Sequence, residues 1–445
     1  MKSISRKLIS VILAVIMLAS VALPVFAEET AEETVEYTIT NPYETVDWDT
    51  WGQYKAMLHA HTLYSDGEVD IKDVVEEYYA QDYDVLAITD HGVVNKGWDK
   101  KPEMLPLIGY NQYIKRLTPM SAERYAEITN GVDRDGRGML DVPLGIEMNG
   151  VVMRKNHING FFCGYGQGQW GIEEDYEGPV AGTEAAGGIS FINHPGDFYA
   201  AHHDINRAYD TEYLKIWADI FMKYKSCVGI EVHNERDTVA RYDRVIWDQL
   251  LMYTVPRGRV MWGFSNDDSH FLSTIGVTAD IMLMPENNVE NLRTAMENGT
   301  FFACSTYSKV ELGDEFVGTG DYAKVTRIDV DEATDTISAT IESTTDYTVE
   351  WVADGEVIAT GDSINLREYS DVIGSYVRFQ IKNEGGIVLS QPFVCDDGNM
   401  EACMIYYPED PEYPAIIEMF LKFIEMLRRN IIGELIYRAA VLDNI

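Results

Sequence analysis

The stretch Met57-Leu58-His59-Ala60-His61-Thr62, followed by Ser65-Asp66-Gly67 and closed by Ile88-Thr89-Asp90-His91-Gly92, decides how the chain is read. In an extended strand residues i and i+2 face the same side, so His59 and His61 present two imidazoles to one point, a metal-ligand geometry. Downstream, Ile71, Val74, Val75 and Tyr78 recur at helical intervals, and Tyr83 to Thr89 reads as a second apolar strand running into Asp90-His91. The unit is strand, helix, strand, with polar ligand types at the end of each strand.

Outward from there, one theme repeats to about Ser305: a short apolar run ends in a charged or imidazole side chain. Val142 to Met148 carries Glu147, Asn156 to Gly164 carries His157, and Gly188 to Pro195 ends in Asn193-His194-Pro195. Val228 to Asn234 carries Glu231 and His233, Val260 to His270 ends in Asn266-Asp267-Asp268-Ser269-His270, and Gly299 to Ser305 reads as a last strand. Helical patterns such as Glu212 to Tyr224 and Tyr242 to Tyr253 lie between. This alternation predicts an α/β fold, a parallel β/α barrel with its active site at the carboxyl ends of the strands. All nine histidines fall between His59 and His270. A lone strand-end histidine is more often structural than a ligand, but six at successive strand ends, interleaved with Asp and Glu, are hard to account for as structure.

Lys2, Arg6 and Lys7 precede an apolar run from Leu8 to Phe26 and small residues near Ala27, the pattern of a secretory signal peptide over residues 1–27. Its removal would take the formal charge from −38 to −41, because it carries three basic and no acidic residues. The expected location is secreted or cell-surface. So acidic a protein repels nucleic-acid backbone and anionic membrane, and no basic face for duplex binding is found. The five cysteines are scattered without a CxxC pair, which argues against a zinc ribbon or disulfide framework; only Cys395 and Cys403 are candidates to pair. Residues 28–50, rich in Glu and Thr, read as a flexible acidic tether.

The motifs His59-x-His61 with Ser65-Asp66-Gly67, Thr89-Asp90-His91, Glu147 followed by His157, Asn193-His194-Pro195-Gly196 and Asp268-Ser269-His270 resemble, in order, those of the PHP (polymerase and histidinol phosphatase) family. The likeness covers about residues 55–305 and is nearest the secreted PHP metallohydrolases of the CehA/McbA type. It implies a distorted seven-stranded β/α barrel over residues 51–310 holding two or three divalent ions, zinc, manganese or iron. His59, His61, Glu147 and Asp268 would hold one ion, Glu147 would bridge to a second held by His157 and His194, and Asp66, His91 and His270 would hold a third. Three divalent ions against three carboxylates leave a pocket of about +3 that attracts a small dianion. A hydroxide bridging the first two ions would attack phosphorus or a carbonyl.

Two further side chains are candidates for catalysis. Asp267 is expected behind the ligand Asp268 and Asp90 behind its neighbour His91, with a helix N-cap as the alternative reading for both. His233 stands where the family usually has an aromatic residue, and is read as a general acid or, preferably, as pocket wall. Arg154, Lys155, Arg207 and Arg236 are the basic side chains near the motifs, each more often a surface charge than a phosphate clamp, and His202 and His203 lie in the loop after Pro195. The expected activity is that of a metal-dependent phosphoesterase on small phosphate esters or nucleotides. A carbamate, ester or amide hydrolase of the same fold, or a non-catalytic surface module that binds metal and ligand, are the alternatives.

After residue 310 the pattern changes to alternation, as in Thr348-Val349-Glu350-Trp351-Val352, which predicts a small immunoglobulin-like antiparallel β-sandwich over 311–400. Residues 411–445 place Ile416, Phe420, Ile424, Leu427 and Ile431 at helical spacing, an amphipathic helix that would lie on a membrane, dock on the protein or oligomerise.

Overall fold

The computed structural model describes residues 35–102, 117–149, 156–167, 176–198, 201–408, 417 and 419–420. The signal-peptide pattern, Arg154, Lys155 and nearly all of the C-terminal amphipathic pattern lie outside the described residues. Among the described residues no helix is long and apolar enough to cross a membrane.

In chain order the elements are β1 (Thr38–Thr40), β2 (Gly52–Met57), helix α1 (Ile71–Ala80), β3 (Val85–Leu86), α2 (Ala122–Thr129), β4 (Leu140–Asp141), β5 (Ile146–Asn149) and β6 (His157–Phe161). There follow α3 (Glu177–Ala185), β7 (Ile189–Ile192), α4 (Thr211–Lys223), β8 (Cys227–Asn234), α5 (Asp243–Thr254), β9 (Trp262–Asn266), β10 (Thr278–Met284), α6 (Val289–Asn298) and β11 (Phe301–Ser305). Helix α1 forms because Ile71, Val74, Val75, Tyr78 and Tyr79 make one buried stripe at i, i+3, i+4, i+7 and i+8. Helix α6 is bounded by chemistry at both ends: the Asn288 side chain accepts from the Asn291 N–H, and Gly299 takes the left-handed C-terminal turn at φ 72°.

The fold is mixed α/β with several sheets, and the sheets are mixed too. Strands β2, β3 and β4 run parallel, as do β7, β8 and β9. Strands β5, β6 and β7 pair antiparallel, and β10 runs antiparallel to both β2 and β11. The all-parallel expectation fails at β5 and β6 because the short link between them cannot accommodate the dozen or more residues of a parallel crossover. The five-stranded sheet β5 to β9 meets the larger sheet at two isolated parallel bridges, Ala60 with Ser269 and His91 with Glu147. At the first, the His61 N–H donates to the Ser269 carbonyl (3.0 Å) and the Asp268 N–H to that of His59 (3.0 Å); at the second, the Glu147 N–H donates to Thr89 (3.0 Å) and the Gly92 N–H to Glu147 (2.8 Å).

Inside, a layer of aromatics underlies a layer of amides. Phe161, Phe191 and Phe264 are buried, with the Phe191 and Phe264 rings stacked at 4.6 Å. Two positions along the same strands stand Asn159, Asn193 and Asn266, also buried, which period-2 geometry puts on the same face.

The later chain adds β12 (Lys324–Asp331), β13 (Thr336–Glu342), β14 (Thr348–Ala353), β15 (Glu356–Thr360), β16 (Ser363–Asn365), β17 (Tyr376–Asn383), β18 (Gly386–Leu389) and β19 (Phe393–Asp396). Strands β12, β13 and β16 form a separate small sheet, whereas β18 pairs with β11 and so continues the larger one. Residues 38–46, expected within a tether, are built in: β1 pairs with β19, and the buried Tyr43 hydroxyl donates to the Phe301 carbonyl (3.1 Å) and accepts from the Gln391 N–H (2.8 Å). Its ring stacks on Phe302 at 4.9 Å, an apolar anchor that outweighs the polar composition around it. All five cysteines are free, Cys395 and Cys403 included.

Candidate metal centre

His59 and His61 flank the bridge residue Ala60, and their extended backbone turns both rings to one side, with the Nε2 atoms 3.1 Å apart. The other nitrogen of each ring is engaged. His59 Nδ1 lies 2.8 Å from the Glu231 carboxylate, which as an acceptor makes Nδ1 the donor. His61 Nδ1 meets the Ser65 hydroxyl at 3.3 Å, and that hydroxyl donates to Asp90 at 2.7 Å. With both rings neutral, as a metal ligand requires, each Nε2 is then the free lone pair. Onto them converge Glu147 Oε2, at 3.3 and 3.1 Å, and Asp268 Oδ1, at 3.3 and 3.0 Å from His59 and His61. Four acceptors face one another in a buried space, and Asp268 Oδ1 has no hydrogen-bond donor. A divalent cation resolves such a convergence, and the N/O donor set without thiolate suits zinc, manganese or iron.

The remaining candidates extend this cluster in two directions. Glu147 Oε1 faces His157 Nδ1 at 3.0 Å and His194 Nε2 at 3.7 Å, and the two rings approach to 3.3 Å. His91 touches both sides: its Nδ1 is 2.9 Å from Glu147 Oε2 and its Nε2 is 3.3 Å from Asp66 Oδ2. His270 Nε2 lies 3.4 Å from Asp66 Oδ1. Three groups have ligand atoms mutually within 4.8 Å: His59, His61, Glu147 and Asp268; His91, Glu147 and His157; and His61, Asp66, His91 and His270. His194 adjoins the second group, and His91 and His61 are each shared between two.

The electrostatics fit a centre that demands positive charge. Against the upward push of burial, His157, His91 and His59 hold the Glu147 carboxyl well below the usual range, and His59 and His61 do the same for Asp268. Burial alone would lower His194, yet Glu147 and Asp268 raise it to about 9; burial brings His157 down to about 4. Asp268 itself sits at φ 47°, a left-handed conformation that costs an aspartate of order 1 kcal/mol or more and clusters at functional sites.

Beneath the ligands lies a series of buried amides that sequence reading named only in passing. The Asn193 amide donates to Glu147 Oε1 (2.7 Å) and to Asn159 Oδ1 (3.0 Å), and the Asn159 amide donates to the Leu58 carbonyl (3.2 Å). The Leu58 N–H donates to Asn266 Oδ1 (3.0 Å), whose amide donates to Glu231 Oε1 (3.0 Å). Asn234 ends the series, donating to Glu231 Oε2 (2.9 Å) and Asp268 Oδ2 (3.3 Å). The available signal was their placement at strand ends beside the imidazoles.

Two expectations are revised. His233 lies outside the cluster: its Nδ1 meets the Ser265 hydroxyl and its Nε2 that of Ser308, both at 3.0 Å, in a fully buried position beside Arg244. It has no open nitrogen for a general acid role and no exposed face for a pocket wall. The cause is a register shift in β8 between Glu231 and His233, which separates two residues that ideal alternation would align. Asp267 does not stand behind Asp268; it accepts from the N–H groups of Gly276 (2.6 Å), Val277 (3.0 Å) and Thr278 (2.7 Å) and from the Tyr78 hydroxyl (3.1 Å), anchoring the start of β10. Asp90 caps no helix: it holds the Thr62 N–H (2.8 Å), the Thr62 hydroxyl (2.7 Å) and Ser65, and so supports His61. Of the basic candidates, Arg236 donates to the Ser273 carbonyl (2.6 Å) and Arg207 lies 4.0 Å from Asp210. His202 and His203 pack together at 3.9 Å on the turn after His194.

No curated protein matches the chain. Among solved structures, a two-domain protein from Bacteroides vulgatus containing a predicted PHP-like metal-dependent phosphoesterase is similar at 15% identity, over 81% of this chain and 90% of that one, with a TM-score of 0.40. PsfC from Pseudomonas syringae is similar at 15% identity, over 55% and 87%, with a TM-score of 0.33. An amidohydrolase from Chromobacterium violaceum is similar at 16% identity, over 48% and 87%, with a TM-score of 0.29. Residues 57–235 match the PHP domain family. That matching segment supplies His59, His61, Asp66, His91, Glu147, His157 and His194, with Asp268 and His270 joining from beyond its end.

Proposed function

We propose that the protein is an exported, metal-dependent phosphoesterase acting on small phosphate esters, with two or three divalent ions at the mouth of a distorted seven-stranded β/α barrel. The observation that carries the reading is the meeting of four metal-ligand atoms, His59 Nε2, His61 Nε2, Glu147 Oε2 and Asp268 Oδ1, in one buried space. Support for the barrel comes from the bridges at Ala60/Ser269 and His91/Glu147, which join β2 to the end of β9 and β3 to β5. Support for export is the basic-apolar-small pattern of residues 1–27.

Divalent ions in this donor set supply Lewis acidity and a nucleophile from water at neutral pH. The chain's own part is positioning. Glu231 and the Ser65–Asp90 pair fix the tautomers of His59 and His61, so that both Nε2 lone pairs face the centre. Glu147 presents one oxygen to His59, His61 and His91 and the other to His157, joining two ligand groups through one carboxylate. The aromatic and amide layers beneath close the site from below, so a substrate enters from the side of Asp66 and His270, the more exposed of the candidates. Phosphate esters are favoured as substrates because a cationic pocket in an acidic protein selects a compact dianion.

The test combines elemental analysis of the purified protein with hydrolysis of chromogenic phosphomonoesters, phosphodiesters, carboxyl esters and carbamates, with and without added manganese or zinc. Bound metal with phosphoester turnover is expected. Turnover of only carbamates or carboxyl esters would replace the substrate class, and a metal-binding protein with no turnover at all would point to a binding module.

A further inference from the structure

Glu231 is a fully buried carboxylate outside the ligand groups, yet it reaches into one of them at His59 and also holds His194, which adjoins another. Its Oε1 receives His59 Nδ1 at 2.8 Å and the Asn266 amide at 3.0 Å; its Oε2 receives the main-chain N–H of His194 at 3.0 Å and the Asn234 amide at 2.9 Å. Four N–H donors around two oxygens leave the carboxylate little freedom to turn. The His59 contact sets which nitrogen of that ring is bare. The His194 contact holds a residue whose backbone sits at φ 20°, outside the favoured regions for a histidine, with its ring 3.5 Å from Asp268 Oδ2 and 3.7 Å from Glu147 Oε1. Through Asn234 the same oxygen reaches Asp268.

We infer that Glu231 is a positioning residue shared by two metal positions: by holding the His59 ring through one oxygen and the His194 backbone through the other, it sets the affinity of both at once. This rests on the reading of the cluster as a metal centre. A carboxylate that merely completed one histidine–carboxylate–metal contact would act on one position. Here the two oxygens divide between the group around His59 and the side on which His194 meets Glu147 and His157, so the loss of one side chain is felt twice. Glutamine at this position keeps the size but replaces one acceptor oxygen by a donor NH₂, which cannot receive both sets of N–H groups.

The experiment is a stepwise zinc titration against a competing chelator, with circular dichroism and thermal unfolding of the metal-free proteins alongside, on wild type, Glu231→Gln, Glu231→Asp and the control Asp267→Asn. Wild type is expected to take up at least two equivalents. Glu231→Gln should keep its fold and lose roughly ten- to hundredfold in affinity at both of the first two steps. Glu231→Asp keeps the charge but falls short by a methylene, and should weaken both steps by less. Asp267→Asn, which removes a buried carboxylate bonded to no candidate ligand, should lower thermal stability and leave both zinc constants within about twofold of wild type. A Glu231 variant that folds and binds both equivalents like wild type overturns the inference, as does weakening confined to one step. Loss of fold in both Glu231 variants would assign the carboxylate to stability and overturn it too. If wild type binds no zinc, it is the metal-centre reading that fails.

Discussion

Asp248 on α5 and Arg378 on β17 form a buried two-point pair, with Nη2 donating to Oδ2 at 2.6 Å and Nε to Oδ1 at 2.8 Å, while the Tyr376 hydroxyl donates to Oδ1 at 2.8 Å. The pair ties helix α5 to strand β17, more than a hundred residues later in the chain. Removing one partner leaves a buried charge uncompensated, so Arg378→Met should destabilise the protein by about 3–5 kcal/mol, read from denaturant midpoints. The double variant Asp248→Leu/Arg378→Met should recover most of that loss, and no recovery would mean the geometry rather than the charge is what matters.

Gly67 lies against the backbone of the first ligand loop. A Cβ there would meet the Thr62 nitrogen at 2.7 Å and the His61 carbonyl carbon at 2.8 Å, backbone atoms that cannot swing away. Gly67→Ala is therefore expected to displace His61 and Asp66 together and to weaken zinc uptake at least tenfold, by the usual scale for disturbed ligand support. Unchanged affinity in a folded Gly67→Ala protein would show the loop to be more compliant than its packing suggests.

Burial, helped by the positive charge of Arg244, pushes His233 down to about 3. The folded protein thus keeps this ring neutral, while the unfolded chain takes up a proton below its ordinary value of about 6.5. Its contribution to stability is complete above that pH and is lost as pH falls from there toward 3, by at most ~1.4 kcal/mol per unit. Comparing urea midpoints of wild type and His233→Gln between pH 4 and 7 should show a shallower acid slope in the variant, by up to one proton. Equal slopes would mean that the ring is protonated in the native state.

Glu147 touches more of the candidate ligands than any other carboxylate described, so Glu147→Gln should remove both metal and turnover. A loss of several kcal/mol in transition-state stabilisation corresponds to on the order of a thousandfold or more in kcat/KM. Metal at about a hundred times its Kd should stabilise wild type by ~2.7 kcal/mol and the variant by none, a thermal-shift measurement independent of substrate.

How much of this was legible in the sequence depended on whether a side chain's direction follows from local geometry. His59 and His61 were readable because an extended i, i+2 pair faces one way whatever surrounds it. Helix α1 was readable because its apolar stripe has one consistent period. His233 was not, because the shift in β8 that turns it toward Ser265 and Ser308 leaves no trace in the spacing of Glu231 and His233. Nor was the role of Asp267, since the three N–H groups it gathers come from residues nine to eleven positions later, across a loop. The direction of β5 and β6 escaped a reading based on alternation of strands and helices, which notices what lies between strands more readily than what is missing there. Tyr43 shows the same limit from the other side: one ring among Glu and Thr docks a segment whose average composition argues for mobility.

The bridges at Ala60/Ser269 and His91/Glu147 carry one more implication. Each lies on or next to a residue whose side chain joins the centre, so the seam between the sheets and the chemistry draw on the same few positions. A drifting lineage would find it hard to discard the reaction while keeping the scaffold, because substitutions that blunt the one also unpick the other. Engineers wishing to repurpose this protein should accordingly vary exposed positions outside the bridges, such as Phe271 beside His270, and leave the stitching alone.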